Sequence, residues 1–205
     1  MKKTLIISYT PRENSNTKRM LDFFIENNQD KTEITFVDLA AEAPDLLLKE
    51  NLNLYVNRNF GGVALTEEEQ SVLAKNDKFR DQLLATDFVV LASPMFNFSV
   101  PATIKAWFDA VIQSGKTFTY TETGIKGLCE NTKALILMTS GSDFEIEPYK
   151  SVNFATPFLL TAFDFMGITA EAINKFGMIQ YADKSEQMIE EAKENIRTIS
   201  YKWYV

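Results

Sequence analysis

The chain contains no histidine and a single cysteine, Cys129. The first absence removes the Ser-His and Cys-His nucleophile systems, the usual imidazole metal ligands and the one side chain that titrates near neutrality. The second excludes an intrachain disulfide and a cysteine-based metal cluster, so no metal site is expected. Long apolar runs are missing as well. Leu5-Ile6-Ile7 after Lys2-Lys3 is too brief for the core of a signal peptide, no small-residue cleavage site follows it, and nothing approaches the roughly 20 apolar residues that span a bilayer. Positive charge is scarce: 21 Lys and Arg stand against 28 Asp and Glu, a net charge of -7, with no basic run or stripe. That balance argues against a nucleic-acid partner. A cytoplasmic protein without nucleic-acid or membrane partners is expected, and any hard chemistry it performs belongs to a cofactor.

What is present is an ordinary globular composition, 45% hydrophobic and 24% charged over 205 residues. This suffices for one large domain, expected to span residues 1–205. Apolar, β-branched runs recur at Thr4–Ser8, Glu33–Val37, Phe88–Ala92, Ala134–Met138 and Ile168–Ile173. Short continuous runs of this kind suit strands buried on both faces of a parallel sheet. Helical patterns separate them. Ser15 can cap a helix carrying Leu21, Phe24 and Ile25, and Thr66 with Glu69 makes a capping box before Val72, Phe79 and Leu83. Ile104, Trp107, Phe108, Val111 and Ile112 form one apolar face, with Pro101 suited to the first helical turn. Phe154, Phe158, Ala162, Phe165 and Met166 mark a helix that Gly167 can close, and Ile189 to Trp203 mark the last. Strand then helix, five times over, predicts a doubly wound three-layer α/β sandwich with helices on both faces. Five strands make 2-1-3-4-5 the leading order, which places a ligand beyond the carboxyl ends of the first and third strands.

Three loops meet that edge. The first, Ser8 to Thr17, opens a helix whose unpaired N–H groups suit a phosphate, although Ser15 as a plain cap with Asn16 and Thr17 facing water is the simpler alternative. It lacks the glycines of the dinucleotide fingerprint and of the Walker motif, so neither reading holds. The second, Ala92-Ser93-Pro94-Met95-Phe96-Asn97-Phe98-Ser99-Val100-Pro101, is apolar where loops are usually polar. Met95, Phe96 and Phe98 either fill space under a helix or form a wall for a ligand. The third, Thr139-Ser140-Gly141-Ser142, lets backbone N–H groups approach a ligand closely or is an ordinary turn. A mononucleotide with a flat aromatic ring fits all three together.

The stretches Pro94-Met95-Phe96-Asn97-Phe98, Val100 to Asp109, and Thr117-Phe118-Thr119-Tyr120-Thr121-Glu122-Thr123-Gly124 with Gly127-Leu128 carry a further signal. Through them the chain resembles the FMN-dependent NADH-azoreductases, or NADH:quinone reductases, which have the flavodoxin-like fold. The resemblance implies that Thr10, Ser15, Asn16 and Thr17 hold the FMN phosphate. It implies that Pro94, Met95, Phe96, Asn97 and Phe98 line the isoalloxazine, with the Asn97 side chain on its pyrimidine part. Ser140, Gly141 and Ser142 would meet the pyrimidine end, and Tyr120 would sit where substrates stack. The implied activity is ping-pong hydride transfer from NADH, with NADPH as the alternative donor, to quinones and azo compounds. Arg12, Arg58 and Lys175 are the cations available for a 2′-phosphate. A flavodoxin-type electron carrier and a free-flavin reductase share the fold and are the competing readings. Many members of that family carry an Arg or a second glycine after the Thr-Ser pair, whereas this chain reads Ser140-Gly141-Ser142-Asp143-Phe144. A homodimer is expected, because Pro148 to Phe165 holds Tyr149, Phe154, Phe158, Phe163 and Phe165, unless the loop from Leu52 to Leu65 covers that face.

Overall fold

In a computed structural model, which describes residues 1–204, strands β1 (Lys2–Ser8), β2 (Thr32–Asp38), β3 (Phe88–Pro94), β6 (Lys133–Thr139) and β7 (Thr169–Lys175) form one parallel sheet. Its order is β2-β1-β3-β6-β7. Counting only these five in chain order, this is the expected 2-1-3-4-5. Strands β4 (Phe118–Thr121) and β5 (Gly124–Gly127) pair separately as an antiparallel hairpin. The helices are α1 (Asn16–Asn28), α2 (Lys49–Asn59), α3 (Glu67–Leu84), α4 (Ala102–Val111), α5 (Ala155–Phe165) and α6 (Ser185–Tyr204).

Alternation along the central strands divides the core. Leu5, Ile7, Val89, Leu91, Ile136 and Met138 face α3, α4 and α5, where Phe79, Trp107, Phe108 and Phe163 pack. Ile6, Val90, Leu135 and Leu137 face α1 and α6, where Phe24, Ile196 and Trp203 pack. β1, β3 and β6 are thus apolar on both sides, as their sequences predict. The two edge strands are not: β2 and β7 alternate between buried and open positions, and Phe36 is exposed. An edge strand lacks a neighbour on one side, and helix cover there is incomplete.

The expected caps are formed. Ser15 Oγ accepts from Lys18 N–H at 3.2 Å. Thr66 and Glu69 make the reciprocal capping box. α5 ends in a left-handed Gly167 at φ 81°, with Ile168 N–H donating to Phe163 O and Gly167 N–H to Asp164 O, the paired bonds of a Schellman motif. Two elements depart from the sequence reading. Leu52 to Asn59, expected as loop, belongs to α2, which packs on α3 and reaches the end of α4 through Tyr55 Oη donating to Ile112 O. It leaves Tyr149, Phe154 and Leu160 exposed rather than covering them. The β4–β5 hairpin lies outside the main sheet and interrupts the simple strand-helix alternation.

Candidate functional site

The loops after β1, β3 and β6 converge on one cleft at the carboxyl edge of the sheet, with about 680 Å³ of atom-free space including its open mouth. The loop after β1 supplies Thr10, Pro11, Arg12, Asn14, Ser15 and Asn16; the one after β3 supplies Pro94, Met95 and Phe96; the β6 end supplies Thr139, Ser140 and Gly141. A fourth segment, between β7 and α6, adds Met178 and Ile179.

At one end stands the α1 N-terminus. Ser15, in extended backbone, uses its side chain on Lys18 N–H, so the Asn16 and Thr17 amides are the first-turn donors that a helix leaves without partners. Those donors and the positive end of the helix dipole favour an anion. Thr10 and the exposed Arg12 flank them, and Arg12 makes no ion pair among the described residues. Thr17 itself departs from expectation. Its side chain is fully buried, with Oγ1 2.7 Å from Thr139 Oγ1, so only its backbone belongs to the anion end.

The middle of the cleft is apolar, and the residues of the β3 loop divide between the two sequence readings. Met95 is 8% exposed and packs in the core, tied by its N–H to Thr139 O at 2.9 Å. Phe96 is 39% exposed, lines the cleft, and meets Tyr9 edge-on with centroids 5.8 Å apart, which joins the first loop to the second. Phe96 and Ser99 exchange backbone hydrogen bonds across Asn97 (φ 46°) and Phe98 (φ 71°), the signature of a type I′ turn. The turn carries Asn97 and Phe98 outward, beyond the cleft lining. Phe98 is 49% exposed, meets Phe144 edge-on at 6.1 Å, and its carbonyl accepts the Phe154 N–H at 2.9 Å.

The far end is built from backbone. Ser140 O accepts from Met178 N–H, Gly141 O from the N–H groups of Ile179 and Gln180, and Ser142 O from Gly177 N–H. Ser140 Oγ donates to Ser142 O at 2.5 Å. Every carbonyl of the loop is therefore engaged, whereas the N–H groups of Gly141 and Ser142 make no hydrogen bond among the described residues. The Ser142 side chain is exposed outside the cleft lining. Asp143 donates its N–H to Gln180 Oε1 and accepts from Glu145 N–H, which ties the two segments together again. Desolvation, then the Asp143 carboxylate, raises the Tyr181 phenol above its ordinary range.

Tyr120, on the β4–β5 hairpin, is 62% exposed and lies outside the cleft lining, its ring edge-on to Phe118. Of the three cations expected near a 2′-phosphate, Arg58 is paired with Asp77 and Lys175 with Glu191; Arg12 alone reaches the cleft. Sequence reasoning missed Met178 and Ile179. Their segment has no polar motif, and its one signal was Gly177 at a strand-to-helix junction.

The residues fit a flavin mononucleotide: anion donors at one end, a flat apolar wall between, and unpaired N–H groups at the other. Comparison with known proteins points the same way. The family model described as flavodoxin-like fold matches residues 2–199. An FMN-dependent NADH:quinone oxidoreductase 2 of Bacillus cereus (strain ZK / E33L) is 33% identical over 212 residues, covering 99% of this chain and 100% of the relative. The FMN-dependent NADH:quinone oxidoreductase of Aeromonas salmonicida (strain A449) is 34% identical over 187 residues, covering 91% and 92%. Among solved structures, an azoreductase from Bacillus anthracis str. Sterne superposes with a TM-score of 0.88 at 27% identity, over 98% of this chain and 100% of that one.

Proposed function

The chain belongs to the flavodoxin-like family of FMN-dependent NADH:quinone oxidoreductases, and from that membership and the cleft we propose an enzyme that reduces quinones and aromatic azo compounds with NADH. The observation that carries the reading is one cleft joining the α1 N-terminus, the Phe96 wall and the unpaired N–H of Gly141, with that of Ser142 next in the chain. Bound FMN supplies the hydride acceptance and donation that no side chain of this histidine-free protein offers.

Thr10, Ser15 and Asn16, with the Thr17 amide, hold the phosphate. Pro94, Met95 and Phe96, which line the cleft, would cover one side of a bound ring, so donor and acceptor would take turns on the side that remains. The N–H of Gly141, with that of Ser142 beside it, would donate to the pyrimidine end of a bound flavin and favour its reduced, more negative form. Asn97 and Phe98, on the turn beside Phe96, would border the open side, where acceptors stack; Tyr120, on the hairpin outside the cleft lining, is assigned to acceptor stacking from the family resemblance. Water at the open mouth supplies protons. NADH is the donor; a 2′-phosphate on NADPH finds Arg12 as its one cation at the cleft.

The exposed Tyr149 and Phe154, beside Phe98, make a face suited to a second copy, and we place the protein as a homodimer of one FMN-binding domain each, residues 1–205. No helix among the described residues is long and apolar enough to cross a membrane. With its acidic charge, this supports a cytoplasmic enzyme of small-molecule substrates, without nucleic-acid or membrane partners. The test is a visible spectrum followed by steady-state kinetics. A yellow protein bleached by NADH alone, with parallel double-reciprocal lines for NADH and a quinone, is expected. Failure to bleach without a separate reductase would indicate a one-electron carrier instead, and intersecting lines would refute the shared face.

A further inference from the structure

We propose that the segment between β7 and α6, Gly177 to Tyr181, is a cofactor clamp in its own right, with Ile179 as its binding residue. The inference rests on the FMN reading of the cleft. Three observations carry it. First, Ile179 lines the cleft and yet is 76% exposed, an unfavourable place for a branched apolar side chain unless a ligand covers it. Second, that exposed position is held firmly. Ile179 N–H donates to Gly141 O at 3.1 Å, and the neighbouring Gly177, Met178 and Gln180 amides donate to Ser142, Ser140 and Gly141 carbonyls. Third, both segments are closely packed at a glycine. A Cβ at Gly141 would lie 3.0 Å from Ile179 Cδ1, and Gly177 is left-handed at φ 82° with the Tyr181 ring 2.6 Å from where its Cβ would be.

The arrangement divides labour between backbone and side chain. Backbone N–H groups of the clamp occupy the carbonyls of the Ser140–Ser142 loop. That orients the loop so that the Gly141 and Ser142 N–H groups are the ones left for a ligand. The Ile179 side chain lies over Gly141 and offers an apolar surface at the Gly141 end of the cleft. A flavin in the cleft would cover Ile179 with its pyrimidine end and leave the face turned away from Phe96 to donor and acceptor.

The experiment is a titration of apo-protein with FMN, followed by quenching of flavin fluorescence, for wild type, Ile179→Ala, Ile179→Leu and Ile179→Asp, with the apo melting temperature of each. Covering part of an isoleucine side chain corresponds to roughly three- to tenfold in affinity, so Ile179→Ala should weaken FMN by about that factor and Ile179→Asp by more. Ile179→Leu should retain nearly wild-type affinity. Apo melting temperatures should be unchanged, because an exposed side chain loses nothing on truncation. Equal FMN affinity across all four proteins would overturn the clamp while leaving the FMN reading intact. So would a parallel fall in apo stability and affinity, which would make Ile179 a support of the loop rather than a ligand contact. Wild-type protein that binds no FMN would overturn the cofactor reading, and the clamp with it.

Discussion

Phe98 follows Asn97 in left-handed backbone, φ 71° after φ 46°, and the two residues bear this conformation differently. Asparagine tolerates it through its short polar side chain, whereas a phenylalanine pays roughly 1–2 kcal/mol. Replacing Phe98 by Ala discards the ring and keeps the strain; replacing it by Gly discards the ring and releases the strain. Phe98→Gly should therefore be more stable than Phe98→Ala by about 1 kcal/mol, the reverse of the usual order, as urea unfolding midpoints will show. Equal midpoints would mean that the turn relaxes. Cys129 offers a second residue-scale test. Burial pushes its thiol up to about 11, so it stays protonated at neutral pH and should resist a thiol reagent until the protein unfolds. Because the folded value lies above the ordinary one, its contribution to stability is complete below that ordinary value and is lost as pH climbs toward 11.

α2 buries none of its own residues, and its attachment is largely polar. The Asp77 carboxylate on α3 accepts from Arg58 Nη1 and Nη2 at 2.6 and 2.8 Å, from Arg80 Nη1 at 2.7 Å and from Gln113 Nε2 at 3.3 Å. Burial alone would raise its pKa, but the Arg58 hydrogen bond and the two guanidinium charges outweigh this and hold it below the ordinary carboxylate range. Asp77→Asn should cost about 1–3 kcal/mol at neutral pH, since it leaves two guanidiniums without their anion. The penalty should shrink in acid: a depressed folded pKa gives stability above the unfolded value that disappears as pH falls through the folded one. Thermal melts of both proteins at neutral pH and below pH ~3.8, the ordinary Asp value, check this. A constant gap would remove the charge from the explanation. The same element marks where the sequence stops being legible. β1, β3 and β6 announce themselves because both faces are buried, and Thr66 with Glu69 because a cap is chemistry at fixed spacing. α2 and its C-cap carry Leu52, Val56 and Phe60 on exposed positions, so the apolar pattern points at no core and reads as loop.

At the scale of the whole molecule, the cleft's first two loops were readable because they act through side chains and a helix start. The β7–α6 segment contributes backbone N–H groups, which leave no trace in residue type, and the burial of the Thr17 side chain was not legible because its partner Thr139 lies 122 positions away. The exposed Tyr149 and Phe154 lead to a prediction about assembly. Sedimentation at micromolar concentration should give a species of twice the 23.3 kDa chain, and Phe154→Glu should shift it to the monomer. A wild-type monomer with full activity would contradict the homodimer. One bond described above sets a condition on that experiment. Phe154 N–H donates to the Phe98 carbonyl, so the aromatic face and the turn bordering the cleft are joined by a peptide hydrogen bond beside the Phe98–Phe144 ring contact. Two equilibria joined in this way must influence each other by the same factor in both directions. Dilution then acts as a chemical variable: as subunits part, flavin should be released, and stripping the flavin should make the subunits part at a higher concentration.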